Sequence, residues 1–67
     1  MKNDYSLEGV NGNVFAIIGY TKNAMRECKC TREEIDKYVS DCKNSDNYYN
    51  VIFLSQSILE KLNADEA

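Results

Sequence analysis

The sequence predicts an all-α fold, a compact three-helix unit preceded by a short extended N-terminal arm. Three observations carry that reading. Apolar residues recur at helical spacing in three separate stretches. A helix-start signal stands before each stretch: Asn13, then Thr31 with Glu34, then Ser45 or Asp46. The links between stretches are short and the chain has no proline, which is the pattern of helices packed antiparallel to their neighbours. A chain of 67 residues makes one domain, with an arm over 1–12 and helices over about 13–28, 32–43 and 46–63.

The arm is polar, with Asp4, Ser6, Glu8, Asn11 and Gly12, and with Tyr5, Leu7 and Val10 at uneven spacing. It reads as extended, with a short strand over 5–10 and an Asn-Gly turn at 11–12. Tyr5 and Leu7 are placed to tuck onto the helices, and a partly frayed terminus is the competing reading.

The first helix has two usable faces. Val14, Ile17, Ile18, Thr21, Ala24, Met25 and Cys28 form one stripe when each residue advances about 100°. Gly12, Ala16, Gly19 and Asn23 fall on the other side, all small enough to admit a second backbone. Gly19 in mid-helix costs about 1 kcal/mol relative to Ala, and close packing is the expected compensation. Asn13 caps the start, and Arg26 complements the dipole near the end.

The second helix opens on a capping box, Thr31-Arg32-Glu33-Glu34, with Cys30 and Ile35 spaced for a hydrophobic staple. Ile35, Tyr38, Val39 and Cys42 make a narrow apolar stripe. Lys43 complements the C-terminal dipole, and Asn44 is expected to close the helix in a left-handed conformation.

The third helix buries Tyr48, Val51, Ile52, Ile58, Leu59 and Leu62, with Ser55 in line, and its tail from Asn63 is expected to fray. Phe53 falls almost opposite that stripe, one turn from Tyr49. The shared core is expected from Val14, Ile17, Ile18, Met25, Ile35, Tyr38, Val39, Ile52, Leu59 and Leu62.

Size and composition narrow the chemistry. A domain this short buries only ~60% of its unfolded surface, and small domains commonly add disulfides, a metal or oligomerisation. Three cysteines, Cys28, Cys30 and Cys42, cannot all pair within the chain, and the N-terminus lacks the apolar run of a signal peptide. The expected compartment is a reducing cytoplasm. Three thiolates without any histidine make a poor zinc set, so no metal or cofactor is expected. No run approaches the ~20 apolar residues of a membrane span. Oligomerisation is the remaining supplement, and a homo-oligomer is expected.

The same inventory argues against catalysis. Histidine, the commonest general base, is missing, and no phosphate-cradling glycine loop is present. A net charge of −3 with interspersed signs argues against a broad nucleic-acid surface. A helix-turn-helix reading of the last two helices finds Asn50, Gln56, Ser57, Glu60 and Lys61 facing outward, with a single lysine, and remains as the alternative of a small DNA-binding regulator.

Two surfaces emerge instead. Gly12, Ala16 and Gly19 make a small groove, and Tyr49 with Phe53 a large ridge, suited to self-association or to a host protein. The competing account is that the arm covers Phe53. Phe15, Lys22 and Arg26, beside the gap at Gly19, line one edge of the first helix as a ring and two cations. Such an edge suits a phosphate or a nucleotide-type ligand.

Several segments resemble small proteins encoded by phages and prophages of Gram-positive bacteria. These are residues 12–20 (GNVFAIIGY), 24–27 (AMRE), 31–38 (TREEIDKY) and 46–49 (DNYY). The resemblance covers about residues 7–63 and lies in helix-packing positions. Those proteins carry a glycine between the first two helices and a Ser-Gly-Asp-Tyr link, where this chain has Lys29-Cys30 and Asn44-Ser45-Asp46-Asn47. The resemblance implies context: an accessory protein, cytoplasmic in a bacterial host, that inhibits host defence by blocking a protein or sequestering a nucleotide signal.

Overall fold

A computed structural model describes residues 3–64. Helix α1 spans Val14–Glu27, α2 spans Arg32–Lys43 and α3 spans Tyr48–Ala64, and no strand occurs among the described residues. The fold is the expected three-helix unit with an N-terminal arm.

The caps explain the boundaries. Asn13 Oδ1 accepts from the Phe15 amide at 2.8 Å, and Thr31 with Glu34 closes the full capping box. The Thr31 amide and hydroxyl both donate to the Glu34 carboxylate, at 2.9 and 3.1 Å, and hold its pKa below the usual value. Asn47, rather than Ser45 or Asp46, caps α3, accepting from the Tyr49 amide at 2.8 Å. Ser45 is occupied elsewhere, its hydroxyl donating back to the Asp41 carbonyl at 3.0 Å. The α2–α3 link is accordingly four residues, 44–47, and Asn44 stays right-handed with φ −83°.

The left-handed residue is Lys29, at φ 60°. Its amide bonds the Arg26 carbonyl at 3.0 Å, and the Cys30 amide bonds that of Met25 at 2.9 Å. This crossed pair is a Schellman close of α1, a position that glycine ordinarily fills because it has no Cβ to crowd the following carbonyl.

Polarity and packing meet at the bundle centre. Ile17, Ala24 and Met25 of α1, Ile35, Tyr38 and Cys42 of α2, and Val51, Leu59 and Leu62 of α3 are buried together. Val14, Ile18, Val39 and Ile52 pack against this cluster partly exposed, and Ala24, Cys42 and Val51 complete it. Thr21 and Ser55 are fully buried among them. Each hydroxyl donates to its own helix, Thr21 to the Ile17 carbonyl at 3.0 Å and Ser55 to that of Val51 at 2.7 Å. With the single Ser55 proton committed there, the Tyr38 phenol is the donor in their 2.5 Å contact. Thr21 lies beside the same phenol, so one hydroxyl from each helix converges on one point. Burial pushes the Tyr38 phenol above its ordinary value, against the opposing pull of hydrogen bonding to Ser55 and Thr21.

The arm is tied down rather than frayed. Asn63 Oδ1 accepts from the Tyr5 amide and Asn63 Nδ2 donates to the Tyr5 carbonyl, both at 2.8 Å. Asn3 Nδ2 donates to the Leu62 carbonyl at 3.1 Å, and the Tyr20 hydroxyl accepts from the Ser6 amide at 3.1 Å. The Tyr5 phenol, placed between Glu27 and Cys28, is pushed up to about 12, first by desolvation and then by these two neighbours. Asn63 thus belongs to α3 and holds the arm; residues 65–67 of the expected frayed tail, and residues 1 and 2 of the arm, lie outside the described residues. In place of a strand over 5–10, the arm bends at Leu7–Val10, with the Val10 amide on the Leu7 carbonyl at 3.0 Å and Gly9 at φ 83°. Gly9 supplies the positive φ that the turn requires, and no turn forms on Asn11-Gly12 in the expected sense, since Asn11 Oδ1 instead accepts from the Asn13 amide at 2.9 Å.

These ties set the helix directions. Tyr48, at the start of α3, donates to the Gly12 carbonyl just before α1. Asn3 bridges Cys28 and Leu62 at the far ends of both helices. Helices α1 and α3 therefore run the same way, with α2 against them. Removing the Ser55 hydroxyl (Ser55→Ala) takes away the acceptor that the phenol contacts at 2.5 Å, leaves only Thr21 beside it, and should cost about 1–3 kcal/mol. Tyr38→Phe leaves Ser55 bonded to Val51 and should cost less, about 0.5–1.5 kcal/mol. Urea denaturation of both variants checks this, and equal or negligible losses would remove the central role given to the contact.

Candidate functional site

Two outer surfaces remain once the core is closed. On α3, Tyr49 is 77% and Phe53 66% exposed. The arm does not cover Phe53: its apolar residues Tyr5, Leu7 and Val10 turn onto the core instead. Tyr49 meets Tyr48 edge to face, centroids 5.9 Å apart, so the ridge is braced at its N-terminal end. Tyr48 is not an inner residue as its stripe position suggested; it is exposed, and its hydroxyl anchors the loop before α1.

The small-residue face divides. Ala16 and Gly19 lie partly exposed on α1, but Gly12 precedes the Asn13 cap and is held by Tyr48. A Cβ at Gly19 would meet nothing within 4 Å. Among the described residues the close packing expected to offset its helix cost is therefore absent, since α2 passes Gly19 across an open concavity rather than in contact.

The edge of α1 with Phe15, Lys22 and Arg26 is outward and borders α2, and the space along that border opens as two concavities. One, of about 460 Å³, brings Phe15, Gly19 and Lys22 together with Val39 and Lys43 over an apolar floor of Val14 and Ile18. The other, of about 500 Å³, joins Lys22 and Arg26 to Arg32, Ile35 and Asp36. Among the described residues Lys22, Arg26 and Lys43 form no ion pair, whereas Arg32 lies 3.8 Å from Asp36. Phe15 is 83% exposed at the mouth of the first concavity.

Lys43 and Arg32 were not singled out in the sequence as ligand-facing residues. The signal existed for Lys43, which continues the stripe of Ile35 and Val39 at i+4 spacing, but its position also suited a dipole-complementing role. The three cysteines are separated: Cys28 sits under Tyr5, and Cys42 is buried, its thiol pushed up by desolvation. A raised thiol is a poor nucleophile at neutral pH. Among the described residues no three Cys, Asp or Glu side chains gather as metal ligands, and no helix is long and apolar enough to cross a membrane.

No family model, curated protein or solved structure matches the chain. Since Gly19 has open space where a Cβ would stand, Gly19→Ala should stabilise the isolated chain by about 1 kcal/mol. Thermal unfolding at low protein concentration reads this, and a loss of stability would mean a close approach at Gly19 within the molecule.

Proposed function

We propose that this chain is a small non-enzymatic binding protein of phage type that inhibits a host process, with antidefence as the intended effect, by occupying a host protein. The observation that carries this is the Tyr49–Phe53 ridge: two large aromatics, one turn apart, uncovered on a helix whose other face is locked into the core. Aromatic anchors on a rigid helix suit burial in a partner's groove, and they lose little conformational freedom on docking. The exposed residues flanking the ridge, Asn50 and Gln56, supply the polar rim such a contact needs. The phage context rests on the sequence resemblance.

A second reading, sequestration of a nucleotide-type signal, is favoured by one specific arrangement. Lys22 and Lys43 flank an apolar groove with Phe15 at its mouth, a combination suited to a phosphate and a flat ring. The DNA-binding alternative is weaker, because the exposed face of α3 offers a single lysine, Lys61, next to Glu60 in the chain, and no basic cluster.

Capture of host lysate on the immobilised protein tests the first reading. One host partner should be retained by the wild type, and the Tyr49→Ser/Phe53→Ser variant should bind it at least thirtyfold more weakly, about 2 kcal/mol, with unchanged helicity. Retention of that partner by the double variant would move the contact elsewhere. For the second reading, titration with nucleotides followed by NMR should shift Lys22 and Lys43 resonances, and Lys22→Gln/Lys43→Gln should abolish binding. Binding that survives neutralisation would rule out this groove.

A further inference from the structure

We infer that the outer face of α3 docks, in parallel and head to tail, on the outer edge of α1 of a second copy of this chain. This rests on reading Tyr49 and Phe53 as contact residues; a second copy occupies them along an assembly, and the terminal copy of an open assembly keeps its ridge uncovered for a host protein. Two faces with the same spacing carry the inference. On α1, Phe15, Gly19, Lys22 and Arg26 stand at i, i+4, i+7 and i+11. On α3, Tyr49, Phe53, Gln56 and Glu60 stand at the same intervals. Each set fills a sector of roughly 60° on its helix, because those intervals return near one direction at 3.6 residues per turn.

Laid side by side in the same direction, the two faces match in shape and charge. The ring of Phe53 falls at Gly19, where open space replaces a side chain. Glu60 falls at Arg26, two exposed charges of opposite sign that make no ion pair within the described molecule. Gln56 offers its amide oxygen to the Lys22 ammonium, and Tyr49 meets Phe15, ring to ring. Laid antiparallel about the Phe53–Gly19 contact, the faces set Glu60 beyond Phe15 and lose the ion pair.

The direction is also the one the fold supplies. Helices α1 and α3 are parallel within a molecule, as the ties at Gly12–Tyr48 and Asn3–Leu62 require. A second copy in the same orientation therefore presents its α1 parallel to the first copy's α3. The contact is heterologous: each copy keeps one free face of each kind, so growth stops only if the rotation closes a ring. It also accounts for Gly19, whose helix cost nothing among the described residues offsets.

Light scattering coupled to gel filtration tests this with the purified chain. The wild type should exceed the monomer mass of 7.7 kDa, with mass rising as concentration rises. Gly19→Leu and Phe53→Ser should each need at least about thirtyfold more protein to reach the same mass. Because each retains one intact face, mixing them should give a 1:1 pair that grows no further. Arg26→Glu should weaken assembly, and adding Glu60→Arg should restore it. A wild type that stays monomeric up to millimolar concentration, a failure of the two single variants to pair, or no rescue by the charge swap would overturn the inference. A monomer that still captures a host protein through Phe53 would leave the proposed function standing while removing this contact. An assembled chain that captures nothing would do the reverse.

Discussion

The fold depends on where the Tyr38 phenol finds its acceptor. A buried hydroxyl without a partner is costly, whereas apolar side chains accept many nearly equivalent packings. The Ser55 hydroxyl already bonds within α3, and Thr21 within α1, so the phenol of α2 fits at one depth only. That single requirement fixes the heights of three helices relative to one another. The apolar cluster around it supplies the burial energy, and the hydroxyls select one arrangement among those the cluster would tolerate.

Given that register, the caps and ties become consistent with each other. The Schellman close at Lys29 and the capping box at Thr31 turn the chain tightly enough to bring α2 back against α1. The longer 44–47 link then returns α3 parallel to α1, with Tyr48 reaching the Gly12 carbonyl. The arm crosses back along the α1 and α3 ends and is held by Asn63. With this side occupied and the hydroxyls inside, the outer side chains of α1 and α3 are left with no structural duty.

The helices were legible in the sequence because their signals are local. Thr31 and Glu34 satisfy each other's backbone three residues apart, and the apolar stripes repeat every turn. Core membership followed, with Val14, Ile18, Val39 and Ile52 only partly covered because so thin a bundle has few interior positions. What was misread depended on competition or on distance. Ser45 was drawn away from α3 by the Asp41 carbonyl, and the left-handed position went to Lys29 rather than Asn44. The Asn63 clamp joins residues 58 apart, and no local pattern announces such a bond. Thr21 and Ser55 were visible as hydroxyls within apolar stripes, yet only the third dimension shows that Tyr38 meets them. At the surface, the exposure of Tyr49 and Phe53 was legible from their angle on the helix, whereas Lys43 joined the Phe15 groove through the packing of α2 on α1.

The clamp between Tyr5 and Asn63 has a mechanical meaning. It closes most of the chain into a loop with two hydrogen bonds, placed almost at the points where the described chain starts and stops. A pulling force applied through those points is borne first by this pair together with the Asn3 side chain on the Leu62 carbonyl, ahead of the buried hydroxyls. Resistance to stretching and resistance to heat are thus lodged in different parts of the molecule, the first in two asparagine side chains and the second in the core.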